Sequence, residues 1–335
     1  MTTTMWDDYM REALALAARG PRSQNPQVGC VIVDDAGEII GRGWHRGAGT
    51  PHAEVAALVD AGPRARGATA VVTLEPCRHT GRTGPCTDAL QEAGIAHVVF
   101  AQDDPTSQAS GGAALLSDVG MRVTSGVLAA QAEQLTRGWT SIQRHARPYL
   151  TLKCAMTMDG RVADSSGGPT SITGETARRW VHGERARTDA IIVGTGTALM
   201  DNPSLTARQA DGTLEADQPL RVVVGMRDIP ADSAVLDTSA ETLLVRSHDP
   251  QALIAALIDA GVHEAIVEGG PTLAGALVEA DVIDAFVWLI APGLLGAGVA
   301  ALPPLAAPRR LIVSSVELLG EDLKIEGTID VHRHR

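Results

Sequence analysis

Pro51-His52-Ala53-Glu54, then Ala70-Val71-Val72-Thr73-Leu74-Glu75-Pro76-Cys77, then Pro85-Cys86: the reading of this stretch decides how the first half of the chain folds. Ala70 to Leu74 is a short apolar run rich in β-branched residues and predicts a strand. Pro51 stands just before His52 and Pro85 just before Cys86, which predicts helices starting near Ala53 and near Cys86. Residues two apart do not share a helix face. His52 and Glu54 can therefore converge on one point only if His52 sits at the unwound start of its helix. Cys86, placed similarly after Pro85, would benefit from a helix dipole that favours a thiolate.

One imidazole, two thiols and a carboxylate form a recognisable donor set. Catalytic zinc commonly takes three protein ligands and leaves a fourth position for water. In the zinc deaminases of bases, the Glu two residues after the His is not a ligand and moves protons instead. His52, Cys77 and Cys86 are thus the expected ligands of one Zn2+ per chain, and Glu54 the expected catalytic acid–base. The reaction class implied is hydrolytic removal of an amino group from a nitrogen heterocycle. The common ending of that signature, Pro-Cys-x-x-Cys, is stretched here by Arg78-His79-Thr80-Gly81-Arg82-Thr83-Gly84-Pro85, a loop suited to a polar or anionic substrate. A chance grouping is the alternative, but the chain has four cysteines and two of them flank this loop. Cys30 and Cys154 lie in apolar runs and read as small buried residues. A structural zinc site would be closed by four protein ligands; the lack of a third cysteine nearby, and Glu54, favour an open one.

Outward from the motif, residues 1 to about 145 alternate between helix and strand signals. Asp7 to Ala18 predicts a helix, and Val28–Val33 with Glu38–Gly43 a hairpin around Asp34-Asp35-Ala36-Gly37. His97–Ala101 and Arg122–Ser125 predict further strands. This alternation implies a largely parallel sheet with helices on both faces. Gln143-Arg144-His145-Ala146-Arg147-Pro148 is a polar break, and the domain boundary is placed there, giving domains 1–146 and 147–335.

The second domain repeats an α/β pattern without repeating the sequence of the first. Tyr149–Met156, Ala190–Val193, Arg221–Gly225, Thr242–Val245, Ala265–Glu268, Asp284–Ile290, Leu311–Leu318 and Leu323–Val331 predict strands. Helices fall near Glu175–Arg187, Pro250–Ala260 and Thr272–Glu279. Gly194-Thr195-Gly196-Thr197 lacks the third glycine of a dinucleotide fingerprint, with Leu199 in its place, so a tight turn is at least as good a reading. Glu268-Gly269-Gly270-Pro271-Thr272 sets two glycines between a strand and a proline-led helix, where exposed amides suit phosphate. These residues alone indicate an anion-binding α/β domain, a class that includes nucleotide binders.

The chain has 335 residues, a net charge of −12 and 3% aromatic residues. That balance argues against a nucleic-acid surface of basic patches and stacking rings, so a free small molecule is the better substrate. Met1 to Met10 carries two Asp and no basic residue, unlike a signal peptide. Cysteines wanted as thiolates suit a reducing cytoplasm. Ala285 to Pro308 is uncharged and long enough to span a bilayer, yet Pro292, Pro303 and Pro304 forbid one unbroken helix. Phe286–Ile290 reads as a buried strand and the rest as a loop, whether interface or core.

Asn25-Pro26-x-Val28-Gly29-Cys30-Val31-Ile32, Gly43-x-His45-x-x-Gly-x-x-Pro51-His52-Ala53-Glu54 and Thr73-Leu74-Glu75-Pro76-Cys77-x-His79 resemble the bifunctional riboflavin-biosynthesis deaminase–reductases, as does the spacing Cys77-x8-Cys86. The resemblance continues through Lys153-x-Ala155-x-x-x-Asp159-Gly160-Arg161, Asp201-Asn202-Pro203-x-Leu205-Thr206-x-Arg208 and Val267-Glu268-Gly269-Gly270-Pro271-Thr272-Leu273-Ala274-Gly275. It implies a cytidine-deaminase-like three-layer α/β/α domain followed by a dihydrofolate-reductase-like α/β domain using NADPH. It implies two successive reactions on a phosphorylated pyrimidine: deamination, then reduction of its ribosyl ring to ribityl. By the same resemblance Lys153 and Asp201 lie near hydride transfer. Ala155, Thr197, Asp201, Gly270, Pro271, Thr272, Leu273, Ala274, Gly275 and Ala276 touch the cofactor, and Arg185, Leu205, Arg208 and Glu268 the substrate. Asn25, His45 and His79 are the expected substrate contacts of the first site, each with a loop role as its alternative. Arg185 read alone could equally be one of several arginines on a solvated helix face. A homodimer or tetramer is a further expectation from the family.

Two departures stand out. Relatives carry Ser-x-Trp-Ile-Thr where this chain has Pro169-Thr170-Ser171-Ile172-Thr173, and Asp-Ser where it has Gly225-Met226. The aromatic ring is replaced by Ser171 unless Trp180 or a reshaped loop fills its space, and Arg227 is the nearest basic candidate for the cofactor's 2′-phosphate. A cytidine or tRNA adenosine deaminase with an unrelated appendage is the rival enzyme, opposed by the x8 spacing and the acidic charge. A zinc-stabilised regulatory protein is the rival from outside enzymes.

Overall fold

The computed structural model describes residues 5–22, 25–79, 84–165 and 171–329, so Thr80–Thr83 of the cysteine loop and Pro169-Thr170 lie outside the described residues. Two units divide the chain, Met1–Ala146 and Arg147–Arg335. The first runs α1 (Asp7–Ala17), β1 (Gly29–Val33), β2 (Ile39–Trp44), α2 (Ala53–Ala61), β3 (Thr69–Leu74), α3 (Cys86–Glu92), β4 (His97–Gln102), α4 (Gly112–Asp118), β5 (Arg122–Thr124), α5 (Ala129–His145). Its sheet has the order β2-β1-β3-β4-β5. Side chains alternate across it, as period-two strands require. Cys30, Ile32, Ala70, Val72, Val98 and Phe100 pack with α2, α3 and α4. Val31, Val33, Val71, Val99 and Ala101 pack with α1 and with Ala132 of α5. The result is three layers, α/β/α.

Only half of this sheet is parallel, against the largely parallel sheet expected. β1 runs antiparallel to both β2 and β3, while β3–β4 and β4–β5 are parallel. A parallel pair needs a crossover of a dozen or more residues, and the link from Val33 to Ile39 is too short. Asp34 closes it as a turn, its Oδ1 accepting the N–H groups of Ala36 and Glu38 at 3.0 and 2.9 Å. Gly43 fixes how closely α2 lies on β2: a Cβ there would sit 2.2 Å from the Ala53 carbonyl oxygen. The helix start that carries His52 and Glu54 therefore rests directly on a strand backbone.

The second unit contains β6 (Tyr149–Thr157), β7 (Arg161–Ala163), α6 (Glu175–Arg185), β8 (Ala190–Gly194), α7 (Thr195–Asp201), β9 (Leu220–Val224), β10 (Thr242–Val245), α8 (Pro250–Asp259), β11 (Glu264–Val267), α9 (Pro271–Glu279), β12 (Ala285–Ala291), β13 (Val299–Ala300), β14 (Leu311–Leu319) and β15 (Asp322–Ile329). The main sheet has the order β10-β9-β8-β11-β6-β12-β15-β14. It is parallel from β10 to β12 and antiparallel at β15 and β14. α8 and α9 pack on one face with Leu152, Ile192, Val222 and Val267. Val193 and Val223 pack with Ala198 on the other, and Val287 and Leu289 with Ala177 of α6. β11 enters between β6 and β8, so the chain reverses direction across the sheet there, and ligands of open α/β sheets gather at the strand C-termini at such a point.

The uncharged run 285–308 becomes β12 and then β13, which pairs with β7, so the remainder is not loop alone. Among the described residues no helix is long and apolar enough to cross a membrane. Arg221 of β9 is 1% exposed. Its guanidinium donates to Asp237 Oδ1 at 2.8 Å and to the Asp237 and Ala240 carbonyls, which ties the link between β9 and β10 to the sheet.

Candidate active sites

In the first unit β3 delivers Cys77 and the starts of α2 and α3 deliver His52 and Cys86. His52 is the N-cap of α2, in extended conformation at φ −65°, ψ 161°, the unwound position its partnership with Glu54 requires. His52 Nδ1 lies 3.2 Å from Cys86 Sγ and 3.5 Å from Cys77 Sγ, and the three donor atoms all lie within 4.8 Å of one another. A tetrahedral ion with Zn–S ~2.3 Å and Zn–N ~2.05 Å separates sulfur from nitrogen by about 3.6 Å, so this spacing fits zinc. The charges fit as well. A hydrogen bond from Cys86 draws the Cys77 thiol well below its ordinary range, and His52 adds to this. Cys86 is pushed up by Cys77 and by burial, despite its place at a helix start. Two sulfurs contest one proton, a conflict that a divalent cation relieves.

Glu54 is 4% exposed, and burial raises its carboxyl to about 6, the imidazole of His52 opposing. A carboxyl in that range both takes and gives protons near neutral pH. A pocket of about 640 Å³ opens over this group, lined in part by Asn25, His45, Glu54, His79 and Asp104. Asn25 Nδ2 meets His45 Nε2 at 3.2 Å, and His45 Nδ1 meets the Pro51 carbonyl at 3.3 Å. Burial lowers the His45 pKa; a neutral ring then donates through Nδ1 and accepts from Asn25. His79 presents a buried Nδ1 with no partner, a polar atom that a substrate can satisfy.

The second unit carries a cleft of about 1270 Å³ at the C-terminal ends of β6, β8, β9 and β11. Glu268 lies at its floor. Arg185 Nε and Nη2 donate to its two oxygens at 2.8 and 2.9 Å, and Lys153 Nζ donates at 3.3 Å. Burial opposes ionisation of Glu268, but Arg185 and Lys153 hold its carboxyl well below the usual range. Asp201 lines the same cleft, its carboxyl raised by burial. Leu205 is 3% exposed at φ +50°, a backbone strain of the kind that collects at functional sites. Gly270 is the N-cap of α9, and its N–H donates to Thr197 Oγ1 at 3.0 Å. A Cβ on Gly196 would lie 2.8 Å from Arg227 Nη2. Glycines that leave backbone bare between charged side chains suit a phosphate-bearing cofactor.

Residues 4–102 match the cytidine and deoxycytidylate deaminase zinc-binding region, and residues 148–325 the RibD C-terminal domain. The riboflavin biosynthesis protein RibD of Mycobacterium tuberculosis is 46% identical over 324 residues, covering 93% of this chain and 95% of that protein. The chain belongs to the RibD family. The Escherichia coli RibD is 41% identical, covering 89% of this chain and 91% of its own. A structure of Acinetobacter baumannii RibD matches at TM-score 0.80 and 33% identity, covering 97% and 98% of the two chains. A Thermotoga maritima structure described as a diaminohydroxyphosphoribosylaminopyrimidine deaminase/5-amino-6-(5-phosphoribosylamino)uracil reductase matches at TM-score 0.83 and 30% identity, with the same coverage. As in other RibD proteins, one chain carries a zinc-dependent deaminase and an NADPH-dependent reductase.

Of the reductase residues expected from the sequence, Lys153, Ala155, Arg185, Thr197, Asp201, Leu205 and Glu268 line the cleft, as do Gly270–Ala274 and Ala276. Gly275 does not: a Cβ there would lie 2.3 Å from Pro303, so this glycine admits a loop. Arg208 does not line it either; its Nη1 donates to the Gly212 carbonyl at 2.8 Å. Ser171 lies in the lining. Trp180 instead packs beside Ala177, Val287 and Leu289, with Lys324 Nζ 4.7 Å above its ring. The indole that does line the cleft is Trp288, which the sequence offered only as part of a buried strand.

Glu75 was also missed. It is 6% exposed and accepts N–H groups from Asp104, Gly111 and Ala113 at 3.2, 3.0 and 2.9 Å. One carboxylate thus anchors the loop that walls the deaminase pocket, and its place two residues before a ligand was the available signal.

Proposed function

We propose that the first unit deaminates 2,5-diamino-6-(5-phosphoribosylamino)pyrimidin-4-one and that the second reduces the ribosyl group of the resulting 5-amino-6-(5-phosphoribosylamino)uracil to ribityl. The observation that carries this reading is the pairing of His52, Cys77 and Cys86 with a buried Glu54 carboxyl poised near neutrality. Zinc held by those three side chains supplies Lewis acidity that makes water acidic near neutral pH. Glu54 takes the proton from the attacking water and delivers it to the departing amine, which leaves as ammonia. Asn25 and His45 orient the ring, and His79 offers its unpartnered nitrogen to the substrate.

In the second unit NADPH supplies the hydride. Lys153 and Asp201 stand where a proton is needed as the ribose opens. Arg185 and Glu268 form a rigid polar floor for the substrate, and Leu205 holds its apolar side. Arg208, bridged to Leu214 and donating to the Gly212 carbonyl, is the further candidate for the substrate phosphate and would have to leave that bond to reach it. The test offers purified protein the diaminopyrimidine or cytidine and follows ammonia and NADPH together. The reading expects ammonia from the diaminopyrimidine alone, followed by NADPH oxidation. Ammonia from cytidine alone contradicts it.

The protein acts as a cytoplasmic homo-oligomer, a dimer or tetramer, in this reading. Its cysteines are free, as thiolate ligands in a reducing compartment are. β14 is a sheet edge exposing Ile312, Val313, Val316 and Leu318 at 54, 53, 59 and 70%. Edges left in water are usually blunted by charge or proline; Glu317, the charge on β14, is engaged by Lys324. A second copy paired along this edge accounts for it. Light scattering of Val316→Lys should then report a smaller particle, and an unchanged one contradicts the assignment.

A further inference from the structure

Gly225-Met226 follows β9 here, where the family resemblance leads one to expect Asp-Ser. Met226 is 57% exposed and lies outside the cleft lining. Arg227 does line the cleft, with its guanidinium across Gly196 at the first turn of α7. The adjacent carboxylate is already taken, since Arg246 Nη1 holds Asp228 at 2.7 Å. Among the described residues no ion pair or hydrogen bond engages Arg227. His248 lines the same end of the cleft. Val224 and Val245 are paired neighbours at the ends of β9 and β10, and Arg227 and His248 each follow three residues later.

Position along the sheet decides what these groups can meet. Lys153 is on β6 and Glu268 follows β11, so the reacting end lies there. β9 is three strands from β6, about 14 Å at ~4.8 Å per strand. An extended dinucleotide with its nicotinamide near Lys153 brings its adenosine end over β9 and β10. A guanidinium without a carboxylate partner at that point favours a phosphate dianion.

We propose that Arg227, with His248, receives the 2′-phosphate of NADPH and sets the preference of this enzyme for NADPH over NADH. The inference rests on the second unit being an NADPH-dependent reductase.

The test is direct binding: titration of NADPH and NADH into full-length wild type, Arg227→Ala and Arg227→Lys by cofactor fluorescence, with 2′,5′-ADP and 5′-AMP as competitors. Arg227→Ala should weaken NADPH and 2′,5′-ADP by roughly 10- to 100-fold, the range of one charge-assisted hydrogen bond. NADH and 5′-AMP should stay within about two-fold, since neither carries the group, and Arg227→Lys should recover part of the loss. Unchanged NADPH affinity in Arg227→Ala overturns the proposal, as does an equal loss for NADPH and NADH, which would assign Arg227 to the pyrophosphate. Wild type that binds neither cofactor would instead defeat the reductase reading itself, and the proposal with it.

Discussion

Gly43→Ala is expected to disable the deaminase while sparing the reductase. A Cβ at this position would lie 2.2 Å from the Ala53 carbonyl oxygen and 2.4 Å from the Ala57 nitrogen. Both are backbone atoms of α2, so no side-chain rotation relieves the clash. Ordinary contact begins at 3.4 Å, so the helix start must retreat by about 1.2 Å to accept the methyl. Ala53 lies between His52 and Glu54, and its retreat displaces the imidazole and the proton shuttle together. A misplacement of about 1 Å costs on the order of 10²-fold in rate, and overpacking costs about 1–3 kcal/mol of stability. Ammonia release measures the first effect, zinc content checks that the first unit is still folded around its ligands, and NADPH oxidation on the deaminated substrate checks that the second unit is intact. A variant with deamination within two-fold of wild type and full zinc content would refute the claim that this contact sets the site.

Glu54→Gln removes a proton shuttle and leaves the ligands intact, so zinc content should hold while deamination falls by roughly 10² or more; near-normal turnover would exclude Glu54 from proton transfer. Glu268→Gln should destabilise the second unit by about 3–5 kcal/mol, because breaking a buried pair strands its partners, here Arg185 and Lys153. The Glu268 carboxyl is depressed in the folded state, so its contribution is complete above the ordinary carboxylate range, near pH 4.5, and is lost as pH falls below it. Acid titration of unfolding should show wild type losing its advantage over Glu268→Gln below about pH 4. An identical pH dependence in the two proteins would contradict this.

The sequence displayed the chemistry better than the connections. The zinc ligands were legible because few residue types bind zinc through nitrogen and sulfur, and Pro51 and Pro85 marked the helix starts that aim two of them. Strands β8, β9 and β12 of the second unit were legible because each is an apolar run bounded by Gly, Pro or Asp. α5 escaped notice, and the first three residues of the polar break placed at Gln143–Pro148 proved to be its last turn. Apart from Trp139, its buried residues Ala132, Thr136, Gly138 and Ser141 are small or polar, so one large apolar side chain is all that marks the buried face. α7 hid behind Gly194-Thr195-Gly196-Thr197, which reads as a turn until the strand end caps it. β7 and β13 span three and two residues, too few to show a period. The hairpin of β1 and β2 was legible from its short link, whereas the antiparallel pairing of β1 with β3 joins segments far apart in sequence and left no local mark. Glu75 and Trp288 act through partners far away in sequence, and no local pattern marks them.

The metal centre allows the most direct test: zinc content of purified wild type, Cys77→Ser and Cys86→Ser, measured beside ammonia release and reduction of the deaminated aminouracil. The account predicts about one zinc per chain in wild type, loss of zinc and deamination together in each variant, and reduction intact in both. Full zinc with undiminished deamination in both variants would contradict it.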